Sequence, residues 1–132
     1  MSVKLHKEFM KSRSVALVGA RKRKEKWGYK LLKKLEEFDF DVIPVNPGLD
    51  FIEGKKCYKD VSSIDKAVDA VVFVVNPDIG RTMVESVHEK GIDRVWLQPG
   101  AYDEDLIKRF RDVDIEPVHD ICIKVYLNRN GR

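Results

Sequence analysis

Val15-Ala16-Leu17-Val18-Gly19-Ala20, followed by Arg21-Lys22-Arg23-Lys24-Glu25-Lys26 and then Trp27-Gly28, is the stretch whose reading decides the fold. Four consecutive apolar residues ending in Gly-Ala read as a buried strand running into a tight turn. Glycine at position 19 reaches backbone conformations closed to other residues and lets a ligand approach the main chain closely. A helix starting near Lys26 then directs its amino-terminal amides into the same space, where a phosphate is favoured. Five cations in six residues, Arg21 to Lys26, reinforce that potential. Gly19, Ala20, Arg21, Lys22, Lys26, Trp27 and Gly28 are therefore candidate contacts for a phosphorylated nucleotide, with Trp27 as a cap over the helix entrance.

Outward from this corner, short apolar runs alternate with amphipathic segments, the pattern of a parallel sheet covered on both faces. The runs predict five strands: Ser14 to Gly19, Asp41 to Val45, Ala70 to Val75, Arg94 to Gln98 and Glu116 to His119. Leu31, Leu32, Leu35 and Phe38 recur at helical spacing after the first strand. A second helix is expected from about Asp78 to Lys90, with Ile79, Met83, Val84 and Val87 inward and Gly91 as its stop. A third follows Ala101, with Asp103, Glu104 and Asp105 complementing the dipole of its first turn. Pro47 to Ile64 breaks the rhythm and is expected to be a loop with a short helical turn, while Leu5 and Phe9 suggest an appended amino-terminal helix. The expected class is α/β, a doubly wound, mainly parallel five-stranded sheet with helices on both faces.

At 132 residues the chain fits one domain, 1–132, with a core of about 10–126. A hydrophobic content of 43% beside 36% charge fits a soluble globular protein, and no apolar run approaches a membrane span. The amino terminus lacks the apolar region of a secretory signal, and Cys57 and Cys122 are too few and too far apart for a disulfide framework or a zinc set. A cytoplasmic location, reduced thiols and no bound metal are expected. The net charge of +3 favours anionic ligands only mildly and does not mark a nucleic-acid binder.

In an open parallel sheet, ligands bind beyond the carboxyl ends of the strands, where strand order reverses. The residues following the strands are Gly19-Ala20, Val45-Asn46-Pro47, Val75-Asn76-Pro77, Gln98-Pro99-Gly100-Ala101 and His119-Asp120. Prolines there fix the backbone and withhold a donor, giving rigid apolar ledges for an adenine or a pantetheine arm. A dinucleotide site needs Gly-x-Gly-x-x-Gly and an acidic residue ending the second strand. Neither is present: the glycine after Gly19 is Gly28, and the second strand ends in Val45-Asn46-Pro47. The basic loop keeps an NADP-linked oxidoreductase or redox sensor as the alternative reading.

Val18-Gly19-Ala20, Pro44-Val45-Asn46-Pro47, Asn76-Pro77, Val95-Trp96-Leu97-Gln98-Pro99-Gly100 and Asp120-x-Cys122-Ile123-Lys124 together resemble the small stand-alone CoA-binding proteins. More distantly they resemble the CoA-binding domain of the succinyl-CoA synthetase alpha subunit. The likeness spans about residues 10–126 and implies a Rossmann-like sheet binding coenzyme A across its carboxyl edge. By position, it implies that Gly19, Ala20 and the loop through Lys26 face the phosphates and that Asn46 and Pro47 face the nucleotide. Val75 and Pro77 would lie on the adenine side, and Gln98 to Ala101 along the pantetheine path. The chain departs from the family pattern at Arg21, His119 and Ile121.

Catalysis needs a nucleophile or an acid–base pair within reach of the ligand. The only dense polar cluster is His119-Asp120 with Cys122, adjacent in sequence but with no established orientation, and no Gly-x-x-x-x-Gly-Lys loop is present. His6 and His88 are expected on the surface, away from the rim. The expected role is a non-catalytic carrier, sensor or partner subunit that holds coenzyme A or an acyl-CoA, alone or with a protein partner or a second copy. An RNA-binding role for the basic loop is disfavoured, since Trp27 and Tyr29 are the only aromatics near it.

Overall fold

A computed structural model describes residues 3–132. Helix α1 (Val3–Met10) precedes β1 (Ser14–Val18), α2 (Trp27–Glu37) and β2 (Asp41–Val45). A small hairpin follows, β3 (Phe51–Ile52) and β4 (Lys55–Lys56), then a 3-10 turn at Val61–Ser63 and β5 (Ala70–Phe73). Helices α3 (Pro77–Arg81) and α4 (Val84–Glu89), strand β6 (Arg94–Leu97), and helices α5 (Glu104–Asp112) and α6 (Ile123–Asn130) complete the chain.

The main sheet has the order β2-β1-β5-β6, and every neighbouring pair is parallel. Side chains alternate across it. Ala16, Val18, Ile43, Val45, Val71 and Phe73 face a layer made by α4 and α5, through Val84, Val87, Leu106 and Phe110. Val15, Leu17, Val42, Val72 and Trp96 face α1, α2 and α6, through Phe9, Leu31, Leu35, Ile123 and Leu127. Strand β1 lies between two strands and two helical layers, which is why Val15 to Val18 form an unbroken apolar run.

Three local differences from expectation have identifiable causes. The fifth strand shrinks to a single bridge, Trp96 to Val118, with Leu97 N donating to Val118 O at 2.7 Å and Val118 N to Val95 O at 2.9 Å. Pro117 has no amide hydrogen with which to extend that ladder. The helix expected over 78–90 divides at Thr82–Met83, where Thr82 Oγ1 and Met83 N bond back to Ile79 O and Gly80 O with a three-residue spacing. The 47–64 segment contains, besides the expected helical turn, the β3–β4 hairpin. Its corner residues Glu53 and Gly54 both have positive φ, at 48° and 83°, as a primed two-residue turn requires.

Asp69 fixes the entry to β1. Its Oδ2 accepts from Arg13 N at 2.8 Å and Ser14 N at 3.1 Å, and these donors, Arg13 first, hold its carboxyl below the ordinary value of 3.8. A folded-state value below the unfolded one means that the carboxylate stabilises the fold fully above that ordinary value and loses its contribution as pH falls through the folded one. Asp69→Ala is expected to cost about 0.5–1.5 kcal/mol at neutral pH, the net worth of an exposed hydrogen-bonded carboxylate whose two amides water can take over. Urea unfolding of both proteins should show that gap narrowing in acid, below the ordinary carboxyl range.

Candidate functional site

The chain leaves β1 for β2 on one side and later returns to β5 on the other, so the strand order reverses at β1 and β5. Such a reversal leaves a crevice above the carboxyl ends of the strands. A cleft of about 450 Å³ opens there, walled by Val18, Gly19, Arg21, Val45, Asn46 and Pro47 on one side and by Val74, Val75, Asn76, Ile79 and Met83 on the other.

The corner at Gly19 is built by close main-chain approach. Gly19 has φ +100°, and its amide and that of Ala20 both donate to Val45 O, at 3.0 and 3.3 Å. A Cβ at Gly19 would stand 2.7 Å from Val75 Cγ1 and 2.8 Å from Val74 O. Gly28 performs the complementary task from α2. A Cβ there would overlap Gly19 O and lie 2.7 Å from Arg21 Cγ, so the helix rests its first turn directly on the β1 turn. Lys26, the residue before α2, is extended and supplies no side-chain cap; Tyr29 N donates to Lys26 O at 3.1 Å, which leaves the amides of Trp27 and Gly28 for an incoming anion.

Most of the surrounding charge is uncompensated. Arg23 pairs with Glu25 at 2.7 Å, but Arg21, Lys22, Lys24 and Lys26 have no carboxylate partner among the described residues. Asn46 braces the opposite wall: Nδ2 donates to Ala20 O at 2.9 Å and Oδ1 accepts from Gly48 N at 2.8 Å. Asn76 Oδ1 accepts from Asp78 N at 2.9 Å and, with Pro77 behind it, starts α3.

Of the residues singled out in the sequence, Gly19, Arg21, Val45, Asn46, Pro47, Val75 and Asn76 line one cleft. Lys22, Lys26 and Trp27 stand on the basic rim, Ala20 and Gly28 are buried beneath it, and Pro77 opens α3. Gln98 to Ala101 do not line the cleft. Gln98 is buried, its Oε1 accepting from Ile123 N at 2.8 Å and its Nε2 donating to Cys122 Sγ at 3.2 Å; Pro99 and Gly100 are exposed, and Ala101 belongs to the core. Ile79, expected on an inner helix face, is instead 46% exposed and turned to the cleft, where Val18, Val74 and Met83 complete the apolar wall.

The polar cluster near the end of the sheet divides among separate partners. His119 Nε2 is buried without a hydrogen bond and its ring sits 5.3 Å from that of Tyr102. Asp120 pairs with His6 Nε2 at 2.9 Å, while Cys122 meets Gln98. His6 is thus a core residue, 7% exposed and stacked on Tyr126, contrary to the surface position expected of it, whereas His88 is exposed. Burial pushes the Cys57 thiol up, which keeps it protonated and unreactive. Among the described residues no group of three or more His, Cys, Asp or Glu is placed to hold a metal, and no helix is long and apolar enough to cross a membrane.

The chain is 38% identical over 92 residues to an ADP-forming acetate–CoA ligase of Methanocaldococcus jannaschii, covering 70% of this chain and only 13% of that enzyme. A conserved hypothetical protein of Pyrococcus furiosus has a similar structure, with 41% identity, a TM-score of 0.81, and coverage of 86% of this chain and 98% of that one. A hypothetical protein of Pyrococcus horikoshii superposes with a TM-score of 0.89 at 28% identity, over 96% of this chain and 89% of that one. Residues 13–128 match the CoA binding domain family, and the chain belongs to it.

Proposed function

We propose that this protein binds coenzyme A or an acyl-CoA at the β1–β5 crevice and serves as a carrier, sensor or partner subunit without a reaction of its own. The observation that carries the reading is the junction of an open, uncompensated cationic corner with an apolar cleft of about 450 Å³. The diphosphate takes the Gly19 turn and the first-turn amides of α2, beside Arg21 and Lys26. The adenine lies in the cleft against Val45, Pro47, Val75 and Ile79, and the pantetheine arm leaves along the rim toward Pro99-Gly100, the exposed part of the 98–101 stretch. A polyanion at a helix amino terminus ringed by cations gains charge-assisted hydrogen bonds that salt weakens.

The non-catalytic role is supported by the way the polar groups near the rim are used. Asp120 and Cys122 are bound to His6 and Gln98, and neither is free to serve His119 as part of a relay. The chain matches only 13% of the M. jannaschii ligase, and in this reading the matched share holds the thioester carrier while a protein partner supplies the rest.

Calorimetric titration with CoA, acetyl-CoA and NADPH tests the reading. CoA is expected to saturate, and the double variant Arg21→Ala/Lys26→Ala to weaken it by about 10- to 100-fold at low salt, with the gap shrinking at high salt as screening removes the shared term. No heat with CoA while NADPH saturates would overturn the proposal. An unchanged affinity in the double variant would place the phosphates elsewhere.

A further inference from the structure

Trp27 opens α2 with 52% of its surface exposed, and two ammonium groups from two helices stand against its ring. Lys30 Nζ lies 5.0 Å from the ring centroid and Lys124 Nζ, reaching over from α6, lies 5.7 Å from it. Neither lysine has a carboxylate partner among the described residues. By contrast Lys33 and Lys34, further along α2, are paired with Glu36 or Glu53 and with Glu37. Two like charges gathered at one exposed indole repel each other. The ring's negative face offsets part of that repulsion, and an anion placed between them would remove the rest.

Lys124 is held by more than the indole. Ile123 N, at the start of α6, donates to the buried Gln98 side chain at 2.8 Å, and Asp120 in the preceding loop is fixed by His6 at 2.9 Å. These contacts bring the first turn of α6 beside that of α2, and Trp27 is the neighbour of Gly28, which lies against the Gly19 turn. Holding two long side chains in place beforehand reduces the conformational entropy that ligand binding would otherwise cost.

We propose that Trp27 gathers Lys30 and Lys124 into an outer anion subsite for the diphosphate of the nucleotide-linked ligand, which makes α6 part of the binding site. This rests on the reading of the crevice as a CoA site. Trp27 and Gln98 are then positioning residues, acting through the two lysines and through α6, while Lys30 and Lys124 touch the ligand.

The test is titration of the wild type and variants with CoA and with dephospho-CoA, which keeps the diphosphate and lacks the 3′-phosphate. Lys30→Gln/Lys124→Gln is expected to weaken both ligands by the same factor, about tenfold at low salt, as expected for losing charge-assisted contacts. Trp27→Leu, which changes no charge, should weaken both by about threefold with an unchanged melting temperature, since it frees the lysines without removing them. Lys7→Gln/Arg129→Gln removes the same charge from exposed positions elsewhere and should leave both affinities nearly as they were. Three results would overturn the assignment: a loss confined to CoA, which would give the lysines to the 3′-phosphate; a loss matched by the control variant; or no loss. If the wild type itself binds neither ligand, the CoA reading of the crevice fails first and takes this subsite with it.

Discussion

Gly28→Ala is expected to destabilise the protein by about 1–3 kcal/mol, the usual range for forcing a methyl group into a space already filled. In a free helix the same change would help by up to about 1 kcal/mol, because glycine is the poorer helix former. The sign reverses here because the new Cβ would overlap the Gly19 carbonyl and stand 2.7 and 2.9 Å from Arg21 Cγ and Arg21 N. Two of these three neighbours are backbone atoms, so no side-chain rotation relieves the contact; α2 has to move away from the β1 turn. That movement separates the first-turn amides from the Gly19 corner, and CoA affinity should fall at least roughly tenfold, the worth of one hydrogen bond to a charged group. Urea unfolding reads the first effect and calorimetry the second. A variant as stable as the wild type, with unaltered CoA affinity, would show that α2 shifts without cost and that its seat on Gly19 is not what shapes the corner.

The same contact explains what the sequence made legible. Gly19 and Gly28, nine positions apart with a basic run between them, announce a strand, a turn and a helix start, and the β1–β5 crevice lies where that signal places it. The strands show as unbroken apolar runs because helices cover both faces of the sheet, and the inward faces of α2 and α5 follow from helical spacing. Less legible were features that depend on partners distant in sequence. Phe51-Ile52 and Lys55-Lys56 are too short to carry a strand period, so the hairpin does not show. Nothing around His6 foretells that Asp120, 114 positions away, will take its Nε2. Gln98, read as a ligand contact from its place after a strand, turns to the first turn of α6 instead, because an uncapped helix end beside a buried amide is the nearer demand. In the proposed subsite, the place of Lys124 beside Trp27 depends on that anchoring of α6 together with the His6–Asp120 pair.

Trp96→Ala is expected to cost about 3–5 kcal/mol, the upper range for emptying a large aromatic site. Trp96 is fully buried at the point where β6, α1 and α6 meet: Phe9 meets its ring edge-on at 5.2 Å, Tyr126 at 5.6 Å, and His6 lies at 5.5 Å. Its Nε1 donates to Ile121 O at 2.9 Å, one residue before Cys122 and the start of α6. The ring therefore does two things, filling space between layers and tying down the loop that leads into α6. Trp96→Phe separates them. It keeps an aromatic ring but leaves Ile121 O without its donor, and should cost about 1–3 kcal/mol on that account. If the tie sets the position of α6, Trp96→Phe will also speed labelling of the Cys122 thiol under native conditions and weaken CoA, since Lys124 follows the same helix. A Trp96→Phe protein that loses stability while Cys122 labelling and CoA affinity stay at wild-type values would confine Trp96 to packing and leave Gln98 and the His6–Asp120 pair to hold α6 in place.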